Sequence, residues 1–191
     1  MADIDAYKDK FSESGQRVLE TALSESRKRD QNYVTVEHIM HAFAFEEDDL
    51  FSSTMRDLSV DPRSVKMLIE KRMEDGRQHS GKGFRIAPET TELFKRAMDR
   101  ARSQGRRVID SSDIFYVLSN DERSVLNEVL QNLGVPSDEV ASTARTQIRS
   151  REKEEERTRQ KYELPSFLRH FGISLNKLAR QDKIAPTIGR E

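Results

Sequence analysis

Apolar residues recur along this chain at helical spacing in short runs, each separated by a turn signal. Over residues 12–29, SESGQRVLETALSESRKR, one helical face carries Val18, Leu19, Ala22 and Leu23, with charges opposite. Ser12 is suited to cap that helix, with Glu13 near its positive end and Arg27, Lys28 and Arg29 near its negative one. After a break at Asp30–Asn32, Thr35 is placed to cap a short helix whose apolar face holds Ile39, Met40 and Phe43. Asp49 then opens a helix through Leu58, and Asp61-Pro62, a cap followed by proline at the first helical position, opens another through Met73.

The stretch EDGRQHSGKGF has three glycines and no periodicity, so it reads as a linker over residues 74–85. Beyond it the pattern restarts, with Pro88 at a helix start. IDSSDIFYVL repeats VTVEHIMHAF, and LQNLGVPSDEV repeats MRDLSVDPRSV. Ile39 pairs with Ile114, Leu58 with Leu133, Val60 with Val135 and Val65 with Val140, all at one constant offset (114 − 39, 133 − 58, 135 − 60 and 140 − 65 are each 75). Asp110 takes the capping place of Thr35, and Asp113 follows it by three positions. An ungapped match of caps, apolar positions and turns points to an internal duplication. The expected fold is all-α: two tandem four-helix repeats related by a pseudo-twofold, over residues 10–73 and 86–149.

Composition agrees with thin amphipathic helices. Apolar residues make up 35% of the 191, below the ~45–50% usual on a count that includes glycine, while charged residues reach 35% against ~25%. Lys+Arg 33 against Asp+Glu 34 leaves a net charge of −1, which offers no field to gather nucleic acid or anionic lipid. The lack of cysteine removes disulfides, thiol nucleophiles and thiolate metal sites. No run approaches 18 apolar residues and MADIDAYKDK has no apolar signal core, so a soluble, cytoplasmic chain without membrane partners is expected.

Residues 149–162, RSREKEEERTRQKY, hold ten charged residues in fourteen and read as a solvated helical extension or a flexible tether, a charged linker over 150–164. Apolar character returns after Pro165, in a segment too short to fold alone that reads as the truncated opening of another domain over 165–191.

Motifs for chemistry are scarce. GxxxxGK[ST], GxSxG and HExxH are all absent, so no catalytic residue is assigned. His38 and His41 lie three apart beside Glu37, but a zinc site would need a third ligand from His79 or a distant carboxylate, and no metal is assigned. The plainer reading has His38 satisfied by the helix cap and His41 exposed or half-buried. Glu37 either matches the helix dipole or, if exposed, contacts a cationic ligand. Phe43, Phe45, Phe51, Phe115 and Tyr116 read as core, and any left exposed would form a groove for another protein.

The duplicated unit TVEHIMHAF and the tail LNKLARQDKIAPTIGRE together resemble the Clp/Hsp100 unfoldases. The first 149 residues are similar to their N-terminal domain, and residues from about 165 to the run-in to their first AAA+ ATPase module. VTVEH and LNKLAR look most like the ClpA branch, with ClpC next and ClpB less similar. The resemblance implies a substrate- and adaptor-docking domain of a hexameric ATP-driven unfoldase that feeds a ClpP-type protease. It implies ClpS-like or MecA-like adaptors and unfolded or tagged proteins as partners. Where such domains take phosphoarginine, a glutamate of each repeat's TEH motif serves with a threonine near the first helix. Glu37 matches the first glutamate and Ser112 stands at the second; Ser12 and Ala87 stand at the threonine positions. Ser12, Glu37 and His38 are thus the candidate partner contacts. Ile188, Gly189 and Arg190 match residues that approach adenine in the family, while Ala185 departs from the usual aspartate. ATP and magnesium are expected only of a longer relative with the phosphate loop, and no cofactor of this chain itself. The alternative is a stand-alone helical scaffold or anti-adaptor with no ATPase attached.

Overall fold

Ser12 closes the first turn of a helix by accepting the Gly15 N–H at 3.3 Å, and that helix, α1, runs Glu13–Lys28. In the computed structural model, which describes residues 9–45, 49–74 and 85–162, seven more helices follow. They are α2 (Val36–Phe45), α3 (Asp49–Asp57), α4 (Pro62–Glu74), α5 (Pro88–Ser103), α6 (Ser111–Asn120), α7 (Val125–Asn132) and α8 (Ser137–Tyr162). Three helices of the second half open at the repeat offset from their counterparts (88 − 13, 111 − 36 and 137 − 62 are each 75), and Ser124, which caps α7, stands at the same offset from Asp49. The chain is all-α, built of two four-helix repeats, as the spacing predicts.

Among the described residues, two-residue strands are the one addition. β1 (Tyr33–Val34) and β2 (Arg85–Ile86) pair in parallel, and Phe11 bridges Ile109 in the same sense. These pairings are one contact used twice, because Ile86 is the repeat counterpart of Phe11 and Ile109 that of Val34. Ser12 N–H donates to the Ile109 carbonyl at 2.9 Å, and Ala87 N–H to that of Val34 at 3.1 Å. Each repeat's leading residues therefore lie against the other repeat. Gly15 is needed there: a Cβ would sit 2.6 Å from the Ile109 carbonyl oxygen.

One apolar core runs through both repeats, with Phe43, Phe51, Phe94 and Phe115 among its largest buried side chains. Phe43 meets Phe115 at 5.4 Å between ring centroids, and Phe11 meets Phe94 edge-on at 5.0 Å, so aromatic contacts cross the repeat boundary. Two of the five aromatics expected in the core stay at its edge. Tyr116 is partly buried beneath the Arg100 guanidinium, and Phe45 is 39% exposed with Lys66 over its ring.

Val140, Ala144 and Ile148 give α8 a buried stripe at four-residue spacing. One compact unit spans residues 1–151 and a second 152–191, of which the described part is the helix to Tyr162. The charged segment is thus helical over 150–162, the first of its two expected forms. The linker residues 75–84 and everything after Tyr162 lie outside the described residues, as do Glu46, Glu47 and Asp48.

Candidate functional site: two unequal junctions between the repeats

The pseudo-twofold brings the start of each repeat's first helix to the start of the other repeat's second helix. At the α1–α6 junction the gap is closed by hydroxyls. Ser12 Oγ and Ser14 Oγ both donate to Asp110 Oδ2, at 2.8 and 2.6 Å, and Ser111 N–H donates to Ser14 Oγ at 3.2 Å. Asp110 also accepts the Ser112 N–H at 3.0 Å and caps α6. Burial pushes the Asp110 carboxyl up, but the bonds from Ser14, Ser112 and Ser12 outweigh it and hold the pKa below the usual aspartate value.

At the α5–α2 junction the equivalent positions hold other residues. Ala87 replaces Ser12, Glu89 replaces Ser14, Thr35 replaces Asp110 and Glu37 replaces Ser112. Ala87 supplies no side-chain cap to α5. The Thr35 hydroxyl lies 2.9 Å from His38 Nδ1, within its own repeat. What remains is an open cavity of about 340 Å³. Its apolar lining comes from Val36, Leu93, Val117, Leu118 and Val125; its polar lining from Glu37, Glu89, Glu92, Arg96, Asp121, Arg123 and Ser124. Arg96 is paired with Asp121, and Glu92 with Lys95 at 3.2 Å. The bonded Arg96 guanidinium, with Arg123 nearby, lowers the Asp121 pKa against a smaller opposing effect of burial. Among the described residues, neither the half-buried Glu37 carboxylate nor that of exposed Glu89 has a hydrogen bond or ion pair.

The three candidate contacts therefore separate. Glu37 lines the cavity. Ser12 belongs to the closed junction, where its partner from the other repeat is Asp110, so Ser12 and Glu37 do not share a site. His38 is 1% exposed, takes the Thr35 N–H on Nδ1 at 3.1 Å, and leaves Nε2 without a partner. Burial depresses its pKa to about 4, so the imidazole is neutral at pH 7. His41 departs from its expected exposure. It is 7% exposed, stacked on Phe45 at 3.9 Å between ring centroids, with Nε2 3.8 Å from Glu25 Oε1. Burial lowers its pKa too, with Glu25 opposing.

Among the described residues no group of three histidines, aspartates or glutamates comes together as a metal site; His79 lies outside them, as do Ile188, Gly189 and Arg190. No described helix is long and apolar enough to cross a membrane. Glu89, Arg96, Asp121 and Arg123 were not singled out from the sequence. The available signal was the repeat offset itself, since a twofold exchanges equivalent positions across the interface.

Known proteins share this architecture. The family described as "Clp repeat (R) N-terminal domain" matches residues 10–133. The chloroplastic chaperone protein ClpC1 of Arabidopsis thaliana is 24% identical over 98% of this chain, which spans 20% of that relative's length. Among solved structures, the Hsp104 N-terminal domain from Candida albicans superposes with a TM-score of 0.61 at 11% identity, covering 70% of this chain and 88% of that one. A ClpV N-domain in complex with a VipB peptide gives a TM-score of 0.58 at 15% identity, covering 77% and 92%. At these identities the structural likeness speaks for the fold.

Proposed function

This chain belongs to the family of Clp N-terminal repeat domains, and from that premise we propose that it is a docking module for adaptors and protein substrates. The observation that carries the reading is the α5–α2 cavity, in which an apolar floor meets carboxylates that the fold leaves unpaired. The half-buried Glu37 carboxylate, without a hydrogen bond or ion pair among the described residues and set beside an apolar recess, fits an external partner. The peptide held by a ClpV N-domain of similar fold supports the same use.

Docking needs no chemistry from these residues. In a longer chain carrying an AAA+ module, ATP and magnesium would serve that module, and a ClpP-type protease would receive what it unfolds. Tethering then raises the local concentration of captured protein, so weak docking suffices for delivery.

The test is a titration of the chain with a ClpS-like adaptor, a MecA-like adaptor and a chemically unfolded protein, each read by calorimetry. Saturable binding of at least one is expected. Absence of heat with all three at several hundred micromolar overturns the docking reading and leaves the fold untouched.

A further inference from the structure

Six of the twelve residues that line the cavity come from one short stretch of chain. Val117 and Leu118 belong to the last turn of α6, Val125 opens α7, and Asp121, Arg123 and Ser124 lie between. The last carbonyls of a helix have no partner within it. Asn127, 0% exposed on α7, supplies one from the side. Its Nδ2 donates to the carbonyls of Asp121 at 2.8 Å and Ser119 at 3.1 Å, with that of Leu118 at 3.3 Å also in reach. The Asp121 carbonyl takes the Ser124 N–H as well, at 2.9 Å, so the loop is fastened at that one oxygen.

Holding the loop this way is costly. Asn127 Oδ1 is buried without a partner among the described residues, although Val125, Leu126, Val129 and Leu130 on the same helix are all buried and apolar. An apolar side chain at this place would leave no such orphan atom. The reason for an amide is therefore its donors, and what they hold is the rim of the cavity. The apolar floor stands on helices, whereas Asp121 and exposed Arg123 stand on the loop. The Asp121 side chain pairs with Arg96 on α5 and accepts the Arg123 N–H at 3.0 Å. Ser52, the repeat counterpart of Asn127, has one side-chain donor in place of two, so the duplication itself does not account for the amide.

We propose that Asn127 is a positioning residue of the docking cavity. It does not line the cavity. Through the Asp121 carbonyl it sets where Asp121 and Arg123 stand against the Leu93 floor, and so how tightly a partner spanning rim and floor is held. A rim fixed in advance spares the complex the ordering of that loop. This rests on the docking reading and names the buried group that keeps that site in shape.

The experiment is calorimetry of the whole chain with a ClpS-like adaptor, a MecA-like adaptor and a chemically unfolded protein, run on the parent and on Asn127→Ala, Asn127→Asp and Asn127→Ser. Circular dichroism fixes a temperature at which each variant is folded, and amide hydrogen exchange is followed without partner. Every probe that binds the parent is expected to bind Asn127→Ala about tenfold more weakly. Asn127→Asp, of equal size but facing carbonyls with a carboxylate, should be weaker still, and Asn127→Ser, which keeps one donor, should fall between Ala and the parent. Exchange should quicken from Asp121 to Ser124 and stay unchanged around Ser12 and Asp110. Gly134→Ser, strained at the far end of α7, should lose stability and bind as the parent does. Parental affinity in Asn127→Ala, or in Asn127→Ser should the other two fail to fold, overturns the proposal. So does weaker binding with exchange at Asp121–Ser124 unchanged, or an equal loss in Gly134→Ser. A probe that binds parent and variants alike removes the positioning role and keeps the docking reading; failure of all three probes with the parent removes the docking reading, and this proposal with it.

Discussion

In the first repeat the backbone N–H that opens α2 is taken by His38; in the second, the equivalent N–H at α6 is taken by Asp113 at 2.9 Å. The surroundings follow suit. Asp113 is buried beneath two guanidiniums, Arg106 at 2.6 and 2.8 Å and Arg100, which also covers Tyr116. At the matching positions the first repeat has His38, Gln31, Glu25 and His41. Burial pushes the Glu25 carboxyl up, and the bonded Arg29 guanidinium, His41 and Lys28 together bring it below its ordinary range. One repeat thus secures the helix start with charge and its twin with a neutral ring. Geometry survived the duplication while its chemistry diverged, and the divergence should show in how each half answers to charge and pH.

The largest effect is expected at Asp113. Asp113→Asn keeps an acceptor for the Asp110 N–H but strips the charge from between two guanidiniums, and removing one partner of a buried pair costs about 3 kcal/mol or more. Urea denaturation checks it. A loss below about 1 kcal/mol would mean that the charges contribute little beyond the helix cap that both repeats share.

Acid should strain the first repeat by a comparable but conditional amount. His38 stays neutral when folded down to about pH 4, whereas the unfolded chain protonates it below about 6.5. Stability is therefore lost as pH falls from 6.5 towards 4, by up to about 3 kcal/mol for this group. His38→Gln retains a side-chain acceptor at the capping-box position and cannot titrate there, so its unfolding free energy should vary less over that window. Parallel curves for the parent and this variant would assign the acid response elsewhere, His41 first.

The smallest contrast lies in the helix ends. Ser59 and Gly134 occupy equivalent positions with φ of 55° and 85°, and in both the following N–H returns to a carbonyl of the last turn, Val60 to Met55 at 2.9 Å and Val135 to Leu130 at 3.0 Å. Glycine adopts that region freely and serine does not. Ser59→Gly should stabilise by up to about 1 kcal/mol, and Gly134→Ser should destabilise by a similar amount in thermal melts. Opposite signs at one turn geometry would isolate the backbone contribution from everything else that differs between the repeats.

Much of this architecture was legible from spacing. Caps, prolines at first helical positions and apolar stripes are local signals, and their recurrence at one constant offset gave the repeats without a gap. The cross-repeat pairings were not legible, because Phe11–Ile109 and Val34–Ile86 involve too few residues for any period to register. The burial of His41 was hidden for a related reason. A ring that reads as polar in a window becomes core when Phe45 stacks on it and Glu25, sixteen positions earlier, lies beside its Nε2. Glu37 was visible as a candidate, but its cavity was not, since its walls come from four helices and from both repeats. Ser12 shows the same limit from the other side: its partner Asp110 is 98 residues away.

The exchanged pairings at Phe11 and Ile86 also bear on how the molecule comes apart. Each repeat supplies one half of two identical contacts, so neither can satisfy its own leading backbone groups alone. Loosening one half exposes the other's edge, which couples the repeats into a single cooperative unfolding unit instead of two beads on a string. A solitary repeat would have its complement nearest to hand in a second copy of itself, so the duplicated chain has the design of a two-subunit ring whose subunits have been covalently joined.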